Sequence, residues 1–273
     1  MARKLFAIIS ILLVMFLLSC RLPWDKKSSK APFGPREEAT VKRLINQGNS
    51  SFERAQYEIA IDSYGSAIAL LENQSASNLI NAHYNRGLAY LKQGGYESAI
   101  SDFTRVIELD PNDSLAYYNR GNALALTEFH KNAIDDYSRA IELSPEKASL
   151  YYSRGLTYQE DSATYDRAID DFTKAISLNP EDKKSYCFLG ITLYKKKNYR
   201  AAQKYFGKAI SIDPAYAEAV TGRGQAYLRA GNMKKALEDF NDACDMGDDT
   251  GCTMLKLLTL ENPEAQAQLQ RMD

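Results

Sequence analysis

NRGLAYLKQGGYESAISDFTRVIELDP, residues 85–111, reads almost frame for frame like NRGNALALTEFHKNAIDDYSRAIELSP, residues 119–145. The two stretches begin 34 residues apart, and the frame continues on both sides of them. Gly48, Gly87, Gly121, Gly155, Gly190 and Gly224 follow one another at 39, 34, 34, 35 and 34 residues. Each is followed by an alanine twelve or thirteen residues later: Ala60, Ala99, Ala133, Ala168, Ala202 and Ala236. A period near 34 residues marks an array of helical hairpins. A glycine inside a helix costs ~1 kcal/mol against alanine, so six in one phase imply close contact between paired helices, with the alanines expected opposite. Each hairpin leaves an apolar face open until its neighbour covers it, so the array folds as a stack.

Counted from Val41, Ile80, Ser114, Ala148, Lys183 and Ala217, the remaining positions agree as well. Position 24 is Tyr64, Phe103, Tyr137, Phe172, Phe206 and Phe240, and position 27 is Ala67, Val106, Ala140, Ala175, Ala209 and Ala243. Position 32 is Pro111, Pro145, Pro180 and Pro214, replaced by Glu72 and Asp248 in the first and last repeats. The pattern resembles the tetratricopeptide repeat over about residues 41–249. The resemblance implies an all-α, right-handed solenoid of six repeats, two helices of about 14 residues each, with a concave face built from the first helices. Met254, Leu255, Leu257 and Leu258 form one more amphipathic helix that caps the array, within a closing segment 250–273 whose tail is polar from Asn262.

Within the repeats, position 7 is Arg86, Arg120, Arg154 and Arg223, and position 23 of the same four repeats is Asp102, Asp136, Asp171 and Asp239. Both are missing together in repeats 1 (Gln47, Ser63) and 5 (Leu189, Tyr205). A bridge between the helices of one hairpin accounts for all six cases; duplication of repeats alone is the other reading.

The N-terminus differs. Arg3 and Lys4 precede an apolar run from Leu5 to Leu18, short for a membrane span, which reads as an export signal over residues 1–19. Leu17, Leu18 and Ser19 before Cys20 resemble the lipobox of bacterial lipoproteins, in which the cysteine receives diacylglycerol and palmitate-type acyl chains; a plain secretory signal is the alternative. Residues 20–40 would then be the lipidated cysteine and a tether, rich in Pro23, Pro32, Pro35 and Gly34 over 21–38 and reaching ~60 Å when stretched. Trp24 could lie at the headgroup level.

Cys244 and Cys252, in ACDMGDDTGCTML, resemble the cysteine pair of Sel-like repeats, which ties one helix end to the next helix start. Export to an oxidising compartment makes this a disulfide, against a reading as two buried thiols. Cys187 is left single, packed in a helix.

A formal charge of −1 lacks the cationic excess of nucleic-acid binders. The two histidines, His83 in an aromatic slot and His130 in a turn, belong to no metal or nucleophile motif, so neither a catalytic site, a metal site nor a cofactor is expected. What remains is binding. In the repeat family, ligands lie along positions 2, 5, 6, 9, 12 and 13. Here these include Asn46, Asn49, Asn81, Tyr84, Asn85, Tyr118, Asn119, Asn122, Tyr152 and Ser153. Amides can pair with a peptide backbone and tyrosines supply rigid contact area, or these are solvated helix positions. The carboxylate clamp of chaperone-binding relatives is absent, since Ile45 and Leu115 stand where lysines are needed. The expected function is a lipid-anchored adaptor gathering envelope proteins or peptides. It would sit on a membrane, the outer one facing the periplasm or cell surface, with Arg21 after the cysteine in keeping with that sorting. The alternative is a periplasmic solute-binding accessory lipoprotein of a transport system.

Overall fold

The computed structural model describes residues 34–71 and 76–261. The signal, Cys20, Trp24 and the tail from Asn262 lie outside the described residues, as does Glu72. Thirteen α-helices run through the described part. Six hairpins form from α1 (Pro35–Glu53) with α2 (Tyr57–Leu71), α3 (Ala76–Gln93) with α4 (Tyr96–Leu109), α5 (Ser114–Leu126) with α6 (His130–Leu143), α7 (Ala148–Tyr158) with α8 (Tyr165–Leu178), α9 (Lys183–Lys195) with α10 (Tyr199–Ile212), and α11 (Ala217–Arg229) with α12 (Met233–Asp245). Helix α13 (Asp249–Glu261) packs on α12 and closes the stack. Each helix packs on the next, and first helices also touch one another: α1 on α3, α3 on α5, α5 on α7, and α9 on α11.

The first helix reaches into the segment expected to be tether. Helix α1 begins at Pro35 and is 19 residues long, because proline suits the first turn, where its missing N–H would be unpaired anyway. The Gly34 amide donates to Glu37 Oε2 at 2.8 Å, and Glu37 and Glu38 sit where the helix dipole favours acids. Residues 35–40 are therefore helical, not linker.

The close contact inside each hairpin also differs in detail from the glycine–alanine pairing expected. A Cβ built on Gly48, Gly87, Gly121, Gly155, Gly190 or Gly224 would come within 2.5–3.0 Å of the position-24 ring of its own repeat. The missing side chain makes room for Tyr64, Phe103, Tyr137, Phe172, Phe206 and Phe240, all almost wholly buried. The alanines at position 20 are fully buried as well and complete the seam.

Position 15, at the tip of five hairpins, has left-handed backbone: Ala55, Gly94, Glu128, Lys197 and Gly231 have φ between 59° and 86°. Repeat 4 carries one extra residue and turns instead through a short 3-10 segment, Ser162–Thr164, opened by Asp161, whose side chain accepts from the Ala163 amide.

The four arginine–aspartate pairs are bidentate bridges within their hairpins. In each, Nε and Nη2 reach the two carboxylate oxygens at 2.7–2.9 Å. Two arginines reach further than the sequence pattern suggested: Arg120 Nη1 donates to Thr104 Oγ1 (3.1 Å) and Arg154 Nη1 to Ser138 Oγ (2.9 Å), both on the preceding repeat. Repeat 5 lacks the bridge, and here the buried Gln159 side chain crosses from repeat 4, donating to the Phe188 carbonyl (3.1 Å) and Thr192 Oγ1 (2.6 Å).

The ring contact sets opposite expectations for two glycines. Gly121→Ala places a methyl against Tyr137, so overpacking outweighs the propensity gain and stability falls by roughly 1–2 kcal/mol. Gly65→Ala meets only Arg86 Nη1 at 3.4 Å and gains up to ~1 kcal/mol. Urea unfolding of both variants checks this; equal stabilisation would mean the rings do not govern the hairpin spacing.

Candidate functional site

The first helices bring most of the expected groove residues into one connected row. Position 5 of one repeat meets position 6 of the next. Asn119 Nδ2 donates to Tyr84 Oη at 2.9 Å, and Ser153 Oγ lies 3.4 Å from Tyr118 Oη. At the next boundary the same two positions are Tyr152 and Phe188, whose rings meet edge-on with centroids 5.8 Å apart. The position-24 tyrosines tie the row to the hairpin interiors: Tyr64 Oη donates to Asn49 Oδ1 (2.7 Å) and Tyr137 Oη to Asn122 Oδ1 (2.9 Å). Asn85 Nδ2 reaches Asn49 Oδ1 at 3.5 Å.

Tyr118 and Asn119 are half-buried, and Tyr118 also packs on Tyr137 with ring centroids 6.1 Å apart. Half-buried polar groups need partners, and a tyrosine hydroxyl one repeat away from an amide provides one. An asparagine carries two donors and an acceptor with two lone pairs, so a single bond in the row leaves capacity for a ligand. Asn46 and Asn81 stand on α1 and α3 outside the row and are exposed. The signal that could have revealed the row is the 35-residue separation of Tyr84 from Asn119 and of Tyr118 from Ser153.

The row changes character along the array. At its N-terminal end Asn49, Phe52, Glu53, Tyr64, Asn85 and Leu88 line a cleft of about 290 Å³. At the boundary of repeats 4 and 5 it is aromatic, and at the next boundary the same two positions are Cys187 and Gly222. Tyr152 packs on Phe172 as well as Phe188, and Lys183 Nζ lies 5.0 Å from the centre of the Tyr216 ring. Burial pushes the Tyr64 and Tyr152 hydroxyls up to about 12, so both remain neutral donors at any physiological pH. Cys187 is fully buried, and burial likewise pushes its thiol up to about 12, which makes it inert rather than nucleophilic.

Elsewhere, His83 Nδ1 donates to Asp102 Oδ1 at 2.8 Å and so belongs to the Arg86 bridge, while His130 opens α6. Among the described residues, no three metal-binding side chains gather and no helix is long and apolar enough to cross a membrane. Cys244 on α12 and Cys252 on α13 are placed as a joined pair with Cα atoms 4.5 Å apart. Asp248, standing where other repeats have proline, accepts from the Gly251 amide (2.6 Å) and from Thr221 Oγ1 (2.7 Å), fixing the start of α13. Closing so small a loop is worth roughly 2.5 kcal/mol. Replacing both cysteines by serine is therefore expected to weaken amide-hydrogen exchange protection in the C-terminal hairpin while leaving the protection of repeats 1–4 in place. Free thiols in air-purified protein would refute the pairing.

A family model described as tetratricopeptide repeat matches residues 84–148 and 187–249, and a second of the same description matches residues 148–182. Together they cover more than half of the chain. Among curated proteins, Serine/threonine-protein phosphatase 5 of Rattus norvegicus is 44% identical over 81 residues, and Sperm-associated antigen 1 of Homo sapiens is 36% identical over 83 residues. Those stretches are 28% and 29% of this chain but only 15% and 9% of the relatives, so the chain spans a small part of their length. Among solved structures, a tetratricopeptide repeat protein from Parabacteroides merdae superposes with TM-score 0.70 at 19% identity, covering 85% of this chain and 92% of that one. YrrB, described as a TPR protein with an unusual peptide-binding site, gives TM-score 0.59 at 25% identity over 74% of this chain and all of its own.

Proposed function

The chain belongs to the tetratricopeptide repeat family, and we propose that it is a lipid-anchored adaptor of a bacterial cell envelope that holds segments of partner proteins along its first-helix face. The coarser part of this reading, that the repeats mediate protein–protein interaction, rests on the family and on a fold that is typically a non-catalytic scaffold. The observation that carries the finer part is the Tyr–Asn row. It presents fixed hydrogen-bonding groups at one-repeat intervals, followed by the aromatic pair Tyr152 and Phe188, suited to an apolar anchor. The chain itself is not an enzyme in this reading, needs no cofactor, and does not engage nucleic acid.

Anchoring rests on the residues ahead of Cys20, and the location on the outer membrane, facing the periplasm or the surface, rests on Arg21 after it. Acyl chains contribute ~0.8 kcal/mol per buried methylene, so two or three of them hold the protein durably. The adaptor reading is preferred to a solute-binding accessory because such a protein needs a closed apolar pocket, whereas the cleft at the N-terminal end of the row mixes Phe52, Tyr64 and Leu88 with the polar Asn49, Asn85 and Glu53, and the larger cleft beside Gly65 is lined by His83, Asp102 and two arginines.

Two experiments test the reading. Cys20→Ser is expected to abolish labelling with radioactive palmitate and partitioning into the detergent phase; label on the variant would refute the anchor. For the groove, Asn46→Glu combined with Asn81→Glu changes two exposed positions without touching the hydrogen-bonded row. Partner capture by in-cell crosslinking should weaken by more than about tenfold, some 1.4 kcal/mol, with unchanged circular dichroism. Lys131→Ala, exposed on α6, should bind as wild type. Undiminished capture by the double variant would take the first helices of repeats 1 and 2 out of the binding surface.

A further inference from the structure

The repeats act as internal controls for one another, and one boundary breaks the rule that the others follow. In repeats 3 and 4 the bridging arginine uses its third nitrogen, Nη1, to bond a hydroxyl at position 25 of the preceding repeat, Thr104 or Ser138. In repeat 2 the same arginine, Arg86, spends Nε and Nη2 on Asp102 as usual, but position 25 of the preceding repeat is Gly65. A Cβ on Gly65 would stand 3.4 Å from Arg86 Nη1, so this nitrogen points to where a hydroxyl would be.

The space left there is a cleft of about 630 Å³, lined among others by Gly65, His83, Arg86, Ser101 and Arg105, and it shares no residue with the Tyr–Asn row. Asp102 also borders it, but that carboxylate is only 3% exposed, with Oδ1 taken by His83 Nδ1 and Arg86 Nη2 and Oδ2 by Arg86 Nε. Its charge is thus neutralised and turned inward. Arg105 brings a second guanidinium, paired with Glu108 on the surface where both side chains are about half exposed. Such a pair is weak and opens at little cost. Only one other arginine of the set faces a glycine: Arg223, opposite Gly207. Position 26 of its repeat, Arg105 in repeat 2, is there Asp242, which would repel an anion.

We propose that the cleft between the first two hairpins is a binding site for an oxyanion, a phosphate or a carboxylate, held between Arg86 and Arg105 above Gly65. Guanidinium forks match the oxygens of both anions. The volume exceeds that of a bare phosphate, so the anionic group can belong to a larger small molecule.

The test is calorimetric titration of the full folded chain with potassium phosphate and, separately, potassium acetate, at ionic strength held constant with chloride. Wild type is compared with Gly65→Ser and Arg105→Gln. Serine at 65 supplies the hydroxyl that Thr104 and Ser138 supply elsewhere, satisfying Arg86 and closing the site without disturbing its bridge to Asp102. Saturable binding to wild type is expected, weakened about tenfold in each variant, with thermal melts of the variants at or near wild type. Tighter phosphate than acetate would assign the site to phosphoryl ligands, and the reverse to carboxylates. Arg105→Gln reads the loss independently of position 65. No saturable binding of either anion, or equal binding by wild type and both variants, would overturn the site.

Discussion

The contact on which the rest of the molecule depends is that of a bare Cα against an aromatic ring. At position 8 of every repeat a glycine admits the position-24 ring of the same hairpin so closely that a methyl group would overlap it. That contact fixes how near the two helices lie, and it places the ring hydroxyl, where there is one, at the first-helix surface. Tyr64 and Tyr137 thereby reach Asn49 and Asn122 from inside the core. Core packing and the candidate binding row are consequently two ends of the same side chains.

Polar groups do a different job here from apolar ones. The bidentate bridges hold the two helices of a hairpin in register. Burial pushes the Asp171 and Asp239 carboxyls up from the usual range even against the pull of Arg154 and Arg223, so these pairs give orientation more than net stability. Where the bridge is absent, in repeat 5, Gln159 joins that repeat to repeat 4 through the Phe188 carbonyl and Thr192 instead.

Much of this was legible in the sequence because a repeat supplies its own alignment. Six registers in phase gave the helical hairpins, and co-occurrence of position 7 with position 23 gave the bridges. What escaped were features that depend on distance rather than period. Glycine and alanine share a seam, but their common period does not reveal that the glycine accommodates the ring. Pro35 reads as linker beside Pro32 and Gly34, yet with Glu37 and Glu38 behind it, it starts a helix. Contacts between repeats, Tyr84 with Asn119 or Arg120 with Thr104, pair positions that are unlike one another, so a search for recurring identities passes over them. The extra residue of repeat 4 was visible as a spacing of 35, but its resolution into a 3-10 turn was not.

The packing is uneven along the array, with a mechanical consequence. Among the described residues, one continuous buried cluster runs from Tyr158 to Ala226 and joins repeats 4, 5 and 6, whereas the first two hairpins are held by small separate groups around Leu71 and Tyr64. In a quasi-one-dimensional stack, each unit is secured only by its neighbours. A load entering through the chain ahead of Gly34 would therefore reach hairpins held by separate buried groups before it reached the repeats that share one cluster. Were the protein held by that end, as a mooring line holds a hull, tension would act first on units secured hairpin by hairpin and last on the three repeats bound together by Phe172 and Phe206.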